Sequence, residues 1–522
     1  MINKIFTFIF LFITQASFSQ TWSDDIAEIF YDKCSKCHHN GGVAPFPLIT
    51  YAETSPLATA IYDVVNNNEM PPWPPNNDFQ NYSHDRSLTP NEKTKVLDWL
   101  VSGHPEGNSS STPPPPVYNN GSILGDGDLE VQIPTYMSKA TSNGDDYVCF
   151  ALPSGLSQDR IIKAIEIIPG NYEIVHHVLV YIDPSNSSVT DTIGGDCASP
   201  ASSGASLLGG YTPGSSPLTL PSSSSLKLGM TIPANSQIVL GMHYPEGSYG
   251  EMDSTKVIFH FYPPGETGVR EVYTERLLEN WNFYLPANQF TTVNAQYGPT
   301  SQDYSLLSVF PHMHLLGQTI QVYGISPNND TLKLIDIPHW DFEWQDFYFY
   351  KYIQKAEIGS TFYCEGTYDN TSGNLHNPNS PPITVYPGLN TSDEMMVTFM
   401  HVMDYYPGDE TYNLDSLMNQ SINNIAEEDF NPIKFNVYPN PFSDYLNLYS
   451  NKISIGDQVS ISIFDKTGKH IRKLLSNKIV QENELHIIWD GKTNKEEIVS
   501  SGLYFISINI NGLLSHQRLI KR

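Results

Sequence analysis

Two cysteines and a histidine stand together near the start of the chain, in the pattern Cys34-x-x-Cys37-His38. Thiols at this spacing lie on one helical turn and can form thioethers to both vinyl groups of a haem, which aims the adjacent histidine at the iron. A redox-active dithiol or a zinc site are the alternatives, and zinc would need further ligands, for which His39 is the nearby candidate. The pattern predicts one covalently bound haem c.

A sixth iron ligand is predicted at Met70, in the proline-rich stretch Met70–Pro75. The segment resembles small cytochrome c domains, which carry an axial methionine between the haem motif and a closing helix. A His/Met pair raises the reduction potential and leaves no open iron position, so electron transfer is the predicted role. The alternative is that Met70 is an ordinary core or surface thioether.

Three clusters stand apart among the 16 histidines. His176 and His177 are adjacent within an apolar segment, where imidazoles without partners are costly. Neighbouring strand residues point to opposite faces, so joint ligation by this pair requires a local distortion. His243 ends another such segment, whereas His312 and His314 are two residues apart and share one strand face, as a chelate needs. Any one cluster alone could be structural.

Short strands and one clear helix must position these residues. The helix is predicted to begin at the cap Thr89 and to end near Gly103. From about residue 121 to 407, segments rich in Val, Ile, Tyr and Phe alternate with Gly, Pro, Asn and Ser, which predicts β-sandwiches. These segments include Ile161–Ile168, Glu173–Ile182, Gln237–Tyr244, Lys256–Phe261 and Leu306–Met313.

Charge and the N-terminus indicate an exported protein. The chain has 28 basic and 56 acidic side chains, a formal charge of −28, which repels phosphate backbones and makes nucleic acid a poor partner. Lys4, the apolar run Ile5–Ile13 and the small residues Ala16–Ser19 predict a signal peptide that ends near Gln20. The run is too short to span a bilayer.

The histidine clusters and a later methionine together carry a specific resemblance. Residues from about 121 to 407 resemble the copper type II, ascorbate-dependent monooxygenases, the family of the peptidylglycine and dopamine hydroxylating enzymes. That family has two jelly-roll-like β domains, each with one copper ion. By this resemblance the ligands of the first ion are His176, His177 and His243, and those of the second are His312, His314 and Met395.

The resemblance also implies roles. In the family, the methionine-containing site binds oxygen and hydroxylates a C–H bond, while the all-histidine site supplies the second electron. His312, His314 and Met395 are therefore the predicted catalytic residues, and a thioether favours Cu(I). Cys149 and Cys197 fall where a family disulfide would join them.

Departures from the family bear on the substrate. Peptide-amidating members hold the substrate carboxylate with an Arg, an Asn and a Tyr, at positions occupied here by Phe310, Val397 and Phe399. Without a bidentate guanidinium, peptidylglycine is excluded as the expected substrate, and the apolar replacements predict a neutral or aromatic one. Cys364 is expected to be unpaired, because its partner position in the family holds Met396.

From about Asn436 the chain resembles the C-terminal sorting domain of the type IX secretion system. The opening Tyr438–Phe442, the strand at Gly502–Tyr504 and the basic end at Arg518–Arg522 carry this resemblance. Such tails are small Ig-like β-sandwiches that direct passage across the outer membrane. A generic adhesive sandwich domain is the alternative.

The predicted fold class is multidomain and mainly β, with a small α-helical cytochrome c domain. The predicted parts are a signal peptide at 1–20, the haem domain at 21–107, a linker at 108–120, two copper β-domains at 121–263 and 264–410, a linker at 411–435, and the sorting domain at 436–522. The protein is expected to be secreted or cell-surface, exported through the periplasm by type IX machinery.

The resulting hypothesis is a copper monooxygenase with two copper ions and one haem c. It acts on a small organic substrate with dioxygen, and its electron donor is the haem, an ascorbate-like reductant or a redox protein. A tethered donor gains effective concentration. The alternatives are a non-catalytic copper and haem protein for electron transfer or metal handling, and a protein whose histidines are purely structural.

Overall fold

The structure is a computed structural model that describes residues 20–522, apart from 117, 119–121, 142–143, 194–196, 198–201, 203, 389, 430–434, 451–452, 454, 467–468 and 511–512. The predicted signal peptide lies outside the described residues, except for Gln20. Two compact units are distinguished and are considered separately: the first comprises the chain up to Ile123 with Gly127–Ser421, and the second comprises Leu124–Asp126 with Ile422–Arg522.

The first unit begins with a helical segment. Its helices are α1 (Ala27–Lys33), α2 (Tyr51–Thr54), α3 (Ala58–Asn66) and α4 (Pro90–Val101), with a π-helical turn at Trp22–Ile26 and 3₁₀ turns at Ser55–Leu57 and Ser109–Ser111. Trp22 packs on Trp99 with ring centroids 5.8 Å apart, in an apolar core shared by α1, α3 and α4. Thr89 and Glu92 form the capping box that begins α4, close to the predicted start of this helix.

A first β-sandwich follows. Its strands are β1 (Leu129–Gln132), β2 (Tyr136–Met137), β3 (Asp146–Pro153), β4 (Arg160–Ile168), β5 (His177–Asp183), β6 (Ser206–Tyr211), β7 (Leu218–Thr219), β8 (Ser222–Ser223), β9 (Leu226–Ile232), β10 (Gln237–Tyr244), β11 (Met252–Asp253), β12 (Lys256–Phe261) and β13 (Val269–Glu271). One sheet has the order β1-β12-β4-β9-β13, and the other has the order β3-β10-β5-β6. Buried residues alternate along most of β5 and form two continuous runs along β10, and both strands contribute to the core between the sheets.

A second β-sandwich continues the same unit. Its strands are β14 (Tyr273–Glu279), β15 (Phe290–Tyr297), β16 (Tyr304–His312), β17 (Gly317–Ile325), β18 (Thr331–Ile337), β19 (Tyr348–Ala356), β20 (Thr361–Asp369) and β21 (Val397–Asp404). The two antiparallel sheets have the orders β14-β21-β16-β19 and β15-β20-β17-β18. The boundary between the two β domains was expected after Pro263. Strand β13 lies beyond that point and still pairs with β9 of the first sandwich, so the first sandwich extends to Glu271.

Two connections join these parts of the first unit. Tyr82, from the segment between α3 and α4, forms a β-bridge with Tyr350 of β19, and its hydroxyl donates to the carbonyl of Leu334 at 2.9 Å. A 3₁₀ turn at Asp409–Thr411 leads into α5 (Leu414–Asp429), in the stretch expected to be a linker. Leu414 and Met418 belong to the core of the first sandwich, which explains why this stretch is helical rather than extended.

The second unit is a smaller β-sandwich. Its strands are β22 (Asn436–Tyr438), β23 (Leu446–Ser450), β24 (Gln458–Asp465), β25 (His470–Ile479), β26 (Leu485–Trp489), β27 (Gly502–Ile510) and β28 (Leu513–Lys521). They form one sheet ordered β22-β23-β26 and another ordered β25-β24-β27-β28 around Trp489. The prediction of a mainly β protein is thus confirmed. In the described part of the chain, no helix is both long and apolar enough to cross a membrane.

Candidate metal centre

The first histidine cluster lies where β10 pairs with β5. His243 is opposite His177 in this register, and on its other side it pairs with Tyr147 of β3. His176 precedes β5, and its backbone N–H donates to the carbonyl of His243 at 3.0 Å. The strand was expected to begin at Glu173, but β5 begins four residues later, at His177. His176 therefore lies outside the regular strand, and this local distortion allows its ring to approach that of His177.

Three ring nitrogens converge in this cluster. Nδ1 of His177 lies 3.1 Å from Nδ1 of His243 and 3.4 Å from Nδ1 of His176. One ligand atom from each residue lies within 4.8 Å of the other two. Two nitrogens bound to one ion at about 2.0 Å each, at a tetrahedral angle, lie about 3.3 Å apart. The cluster has the spacing of a three-imidazole metal site.

Burial and a carboxylate set the protonation of these rings. Burial, and then the neighbouring His243, lower the pKa of His176 to about 4, and burial with the neighbouring imidazoles holds the pKa of His177 well below its usual value. Neutral imidazole is the form that binds metal ions. Oδ2 of Asp145 lies 3.0 Å from Nε2 of His243, which leaves Nδ1 of that ring to the cluster.

The second cluster presents the opposite ring nitrogens. Nδ1 of His312 donates to Oε1 of Gln345 at 2.6 Å, and Nδ1 of His314 donates to the carbonyl of Asp393 at 3.1 Å. Since both acceptors hold the proton on Nδ1, Nε2 is the nitrogen available in each ring. Burial lowers the pKa of His312 and, with His312 as neighbour, brings the pKa of His314 to about 3.

A buried carboxylate connects His314 to Met395. Oε2 of Glu394 accepts the backbone N–H groups of His314 at 2.9 Å and Met395 at 3.1 Å, and Oε1 accepts that of Leu316 at 2.6 Å. The hydroxyl of Tyr368 donates to the carbonyl of Met395 at 2.7 Å. These bonds fix the Met395 backbone on both sides.

The two adjacent methionines face different environments. Met395 lines the same cavity as His312 and His314, whereas Met396 is fully buried in the core of the second sandwich. Only the first of them is placed where a thioether could join the two imidazoles. Cys364 is buried and has no disulfide.

Both clusters open onto one cavity of about 190 Å³, lined by His176, His177, His312, His314 and Met395 among others. The ring of Phe342 lies 6.3 Å from the ring of His176 and 5.9 Å from the ring of His314. The structure thus brings both groups of predicted ligands to the same cleft. The disulfide Cys149–Cys197 also lines it and is confirmed.

The predicted haem motif follows α1. Nδ1 of His38 donates to the carbonyl of Phe46 at 3.0 Å, which leaves Nε2 available, the arrangement that an iron-ligating histidine needs. Burial raises the pKa of Cys34 to about 12 and that of Cys37 above its usual value, the opposite of the shift that activates a redox dithiol. The described contacts of the His38 ring are with Phe46, and none of them involves Met70.

Cys37 lies against the first sandwich. A Cβ on Gly214 would come 2.6 Å from Sγ of Cys37, and the carbonyl of Gly214 accepts a hydrogen bond from Nη1 of Arg86 at 3.2 Å. Nη2 of Arg86 lies 3.6 Å from Oδ2 of Asp346, which lines the cavity between the histidine clusters. The predicted haem motif is therefore a neighbour of the candidate metal centre.

Some residues that contact or lie beside the candidate ligands were not predicted from the sequence. Gln345 and Phe342 come from the loop between β18 and β19, whose aromatic content was a usable signal. Asp145 and the orienting role of Glu394 had no sequence signal of their own. An acidic residue acquires this function only through the strand pairing that brings it to an imidazole or to backbone N–H groups.

Two successive ranges in the later part of the chain match known protein families. Residues 282–426 match the family described as copper type II ascorbate-dependent monooxygenase, C-terminal domain. Residues 436–522 match the secretion system C-terminal sorting domain. The second match indicates export by type IX secretion to the cell surface or the exterior, which confirms the predicted localisation.

Solved structures resemble this chain at low sequence identity. PorZ, an essential bacterial surface component of the type IX secretion system of Porphyromonas gingivalis, is 20% identical and covers 17% of this chain and 11% of its own, with a TM-score of 0.14. Dimeric latent PorU from the same organism is 10% identical and covers 72% of this chain and 34% of its own, with a TM-score of 0.15. In both cases the match spans well under two thirds of the other chain.

Proposed function

We propose that this protein is an exported copper-dependent monooxygenase that hydroxylates a C–H bond of a small organic substrate with dioxygen. The observation that carries the proposal is the convergence of two ligand sets on one cavity, with Nδ1 atoms facing inward in one set and Nε2 available in the other. The match of residues 282–426 to the copper monooxygenase domain supports it.

Each ligand set fits one copper ion. His176, His177 and His243 would hold the first, and their nitrogen spacings of 3.1 and 3.4 Å suit imidazoles on a common ion. His312, His314 and Met395 would hold the second, where the thioether favours Cu(I). Copper would supply the one-electron redox chemistry that activation of dioxygen requires. Phe342, between the two sets, narrows the space open to water.

The electron supply is proposed to pass through a haem c on Cys34 and Cys37, with His38 and Met70 as axial ligands. Gly214 lies against Cys37 and follows Tyr211 of β6 by three residues. Tyr211 pairs with Val178 of β5, which is next to His177 in the chain. A short backbone path thus joins the haem motif to the first ligand set. An ascorbate-like reductant or a redox protein would reduce the haem.

Metal and haem analysis of the mature, full-length protein tests the ligand assignment. The protein should be purified from a host that matures c-type cytochromes and loaded with copper. We expect two coppers and one haem per chain, and the loss of one copper in each of His243→Ala and Met395→Ala. His339→Ala, which changes a histidine outside both ligand sets, is the control and should retain full copper.

Different outcomes contradict different parts of the proposal. Haem without copper would leave an exported cytochrome on a β scaffold and refute the monooxygenase. Two coppers without oxygen consumption in any substrate screen would favour the non-catalytic electron-transfer protein. If the copper stays oxidised when the haem is reduced anaerobically with ascorbate, the proposed role of the haem as electron donor is refuted. The proposed monooxygenase activity is not affected by that result.

A further inference from the structure

An indole ring is hydrogen-bonded to the backbone of a candidate ligand. Nε1 of Trp340, in the loop between β18 and β19, donates to the carbonyl of His314 at 3.2 Å. The backbone N–H of Trp340 donates to the carbonyl of Gln318 of β17 at 2.7 Å. These two hydrogen bonds hold Trp340 against the turn that connects β16 to β17, directly behind the second ligand set.

The indole lies between this turn and solvent. A Cβ on Gly317 would come 2.7 Å from Cδ1 of Trp340, too close for both to stay in place, so a glycine in the turn makes room for the ring. Trp340 packs on the core of the second sandwich but is only half-buried. The ring therefore connects the backbone of a ligand residue to the protein surface.

A continuous bonded path joins the second ligand set to this ring. Nε2 of His314 is the nitrogen available to a metal ion, because Nδ1 donates to the carbonyl of Asp393. From Nε2 the path follows the covalent bonds of His314 to its carbonyl and then one hydrogen bond to the indole of Trp340. Electrons tunnel more readily through covalent and hydrogen bonds than across gaps of the same length. An electron can therefore pass from Trp340 to a metal ion bound at His314.

Other oxidisable side chains at this ligand set are less suited to give up an electron. Tyr368 donates to the carbonyl of Met395 at 2.7 Å and is fully buried, and a phenol must lose its proton when it is oxidised, which a carbonyl cannot accept. Oxidation of Met395 itself gives a polar sulfoxide, whose repair needs a dedicated reductase. The indole of Trp340 can lose an electron first and release its N–H proton to water afterwards.

We propose that Trp340 protects the second ligand set by giving up an electron when hydrogen peroxide, the two-electron reduction product of dioxygen, reacts there without a substrate. Hydrogen peroxide accepts two electrons and two protons and yields two molecules of water. Cu(I) supplies one electron and becomes Cu(II), and Trp340 supplies the other. One proton is the indole N–H proton, and the second comes from solvent.

A reductant of the ascorbate class then returns one electron and one proton to the Trp340 radical at the protein surface. Without such a reductant, the radical combines with oxygen, and the side chain is permanently oxygenated. This inference rests on copper at the second ligand set, as in the proposed function, and adds a protective role that the hydroxylation reaction does not require.

Peroxide without substrate tests the inference. The copper-loaded full-length protein is reduced, freed of excess reductant and mixed with hydrogen peroxide in air, and oxygenated residues are located by peptide mass spectrometry. Trp340 should be the most oxygenated tryptophan. Trp281 is the internal control, because it is exposed and its Nε1 donates to Glu279 at 2.8 Å, so an oxidant that diffuses in solution would attack it first. Oxygenation of Trp281 at or above the level of Trp340 would overturn the proposal.

Electron paramagnetic resonance of freeze-quenched samples identifies the radical. The wild-type signal should narrow when the protein contains ring-deuterated tryptophan and should be lost in Trp340→Phe, which should also accumulate more Met395 sulfoxide. Trp281→Phe is the matched control and should keep the signal. A signal that narrows with ring-deuterated tyrosine instead, or that persists in Trp340→Phe, would refute the inference. If Trp340→Phe loses copper, the site of oxygenation in the wild type decides.

Variants of the two ligand sets locate the source of the oxidation. Met395→Ala, expected to lose the second copper, should lose oxygenation of Trp340, whereas His243→Ala, expected to lose the first, should retain it. The reverse pattern would show that the electron passes to the first ligand set and would contradict the path through His314.

Failure of this inference and failure of the proposed function are distinguishable. Two bound coppers with oxidation of the ligand residues instead of Trp340 would refute the protective role and leave the metal sites in place. Oxygenation of Trp340 in a protein that hydroxylates no substrate would retain the protective role and refute the monooxygenase. A protein without copper at the second ligand set would refute both.

Discussion

Single side chains in this protein work by holding other side chains. Gln345 accepts a hydrogen bond from Nδ1 of His312, which leaves Nε2 of that ring available to a metal ion. Asp145 lies beside Nε2 of His243, which leaves Nδ1 of that ring available. Glu394 acts on backbone N–H groups instead and joins the His314 segment to Met395. Partners of this kind typically change metal affinity by 10–100-fold when they are removed, so they are the residues to test first.

Replacing Glu394 with Gln should weaken copper binding at the methionine-containing set by about 10–100-fold. A Gln side chain has one acceptor oxygen, so at least one of the three backbone N–H groups now bonded to Glu394 would face an NH₂ group. Copper titration against a competing chelator measures the effect. The His176, His177 and His243 set should keep its affinity.

Glu365→Gln is the matched control for this variant, because Glu365 is exposed on β20 and takes part in none of these hydrogen bonds. Equal copper affinities in Glu394→Gln and Glu365→Gln would show that the buried carboxylate does not position the ligands. Loss of both coppers from Glu394→Gln would instead point to a global folding defect.

A disulfide and a buried ion pair connect strands of the first unit to segments outside the sheets. The disulfide joins Cys149 of β3 to Cys197 across 48 residues, next to the cavity. Arg270 of β13 forms a two-pronged ion pair with Asp409, with N–O distances of 2.7 and 2.8 Å, and so connects the first sandwich to the turn after β21. Both links constrain segments that strand pairing alone leaves free.

Removal of the disulfide by Cys149→Ser with Cys197→Ser should lower the free energy of unfolding by about 4 kcal/mol, from the entropy regained by a loop of this length. The expected readout is a lower Tm in a thermal melt of the full-length protein. Dithiothreitol should lower the Tm of the wild type to a similar extent and leave the double variant unchanged. A variant that still responds to dithiothreitol would contradict this assignment.

Arg270→Met should cost about 3 kcal/mol at pH 7, because it leaves a buried carboxylate without its partner. Burial opposes ionisation of Asp409, yet hydrogen bonds from Arg270, the Tyr406 N–H and Ser305 together hold its pKa below the usual value. Its stabilisation is therefore complete above the unfolded pKa of about 3.9 and is lost as pH falls through the lower folded pKa.

Thermal melts at pH 7 and pH 3 measure this effect. The Tm difference between wild type and Arg270→Met should be large at pH 7 and smaller at pH 3. Arg276→Met, which breaks an exposed pair with Glu279, should change stability by less than about 1 kcal/mol at either pH. A difference for Arg270→Met that grows on acidification would refute the argument.

The whole molecule combines an exported chain with a C-terminal unit for secretion. The sorting domain at 436–522 forms its own sandwich around Trp489, within the second compact unit. The formal charge of −28 favours solubility outside the cell and is consistent with this destination. Secretion and the proposed redox chemistry are therefore assigned to different parts of the chain.

Deletion of residues 436–522 should abolish secretion and leave the protein inside the cell envelope of a host with type IX machinery. Immunoblots of culture medium, cell surface and periplasm measure the distribution. Fusion of 436–522 to a fluorescent protein is the converse control and should send the fusion outward. Equal secretion of the truncated and full-length chains would show that another segment carries the signal.

The sequence by itself determined the identity of the candidate ligands and the class of most elements. Adjacent and alternate histidines, the apolar run of β10 and the Thr89 cap are local patterns, and local physics governs them. The sorting domain was also readable, since its opening and closing segments are short and characteristic. The match of residues 282–426 to the copper monooxygenase domain agrees with the second ligand set falling in this region.

Tertiary structure alone decided which ring nitrogens face the cavity and that α5 replaces the expected linker. The choice of Met395 came from the resemblance, and the structure has Met395 in the cavity lining and Met396 in the core. Tertiary structure also decided that Cys37 lies beside Gly214 and that Phe310 and Phe399 form one surface. These facts depend on strand register and on contacts between residues far apart in the chain. A one-residue shift of register would turn Phe310 and Phe399 away from each other, and no local pattern encodes that pairing.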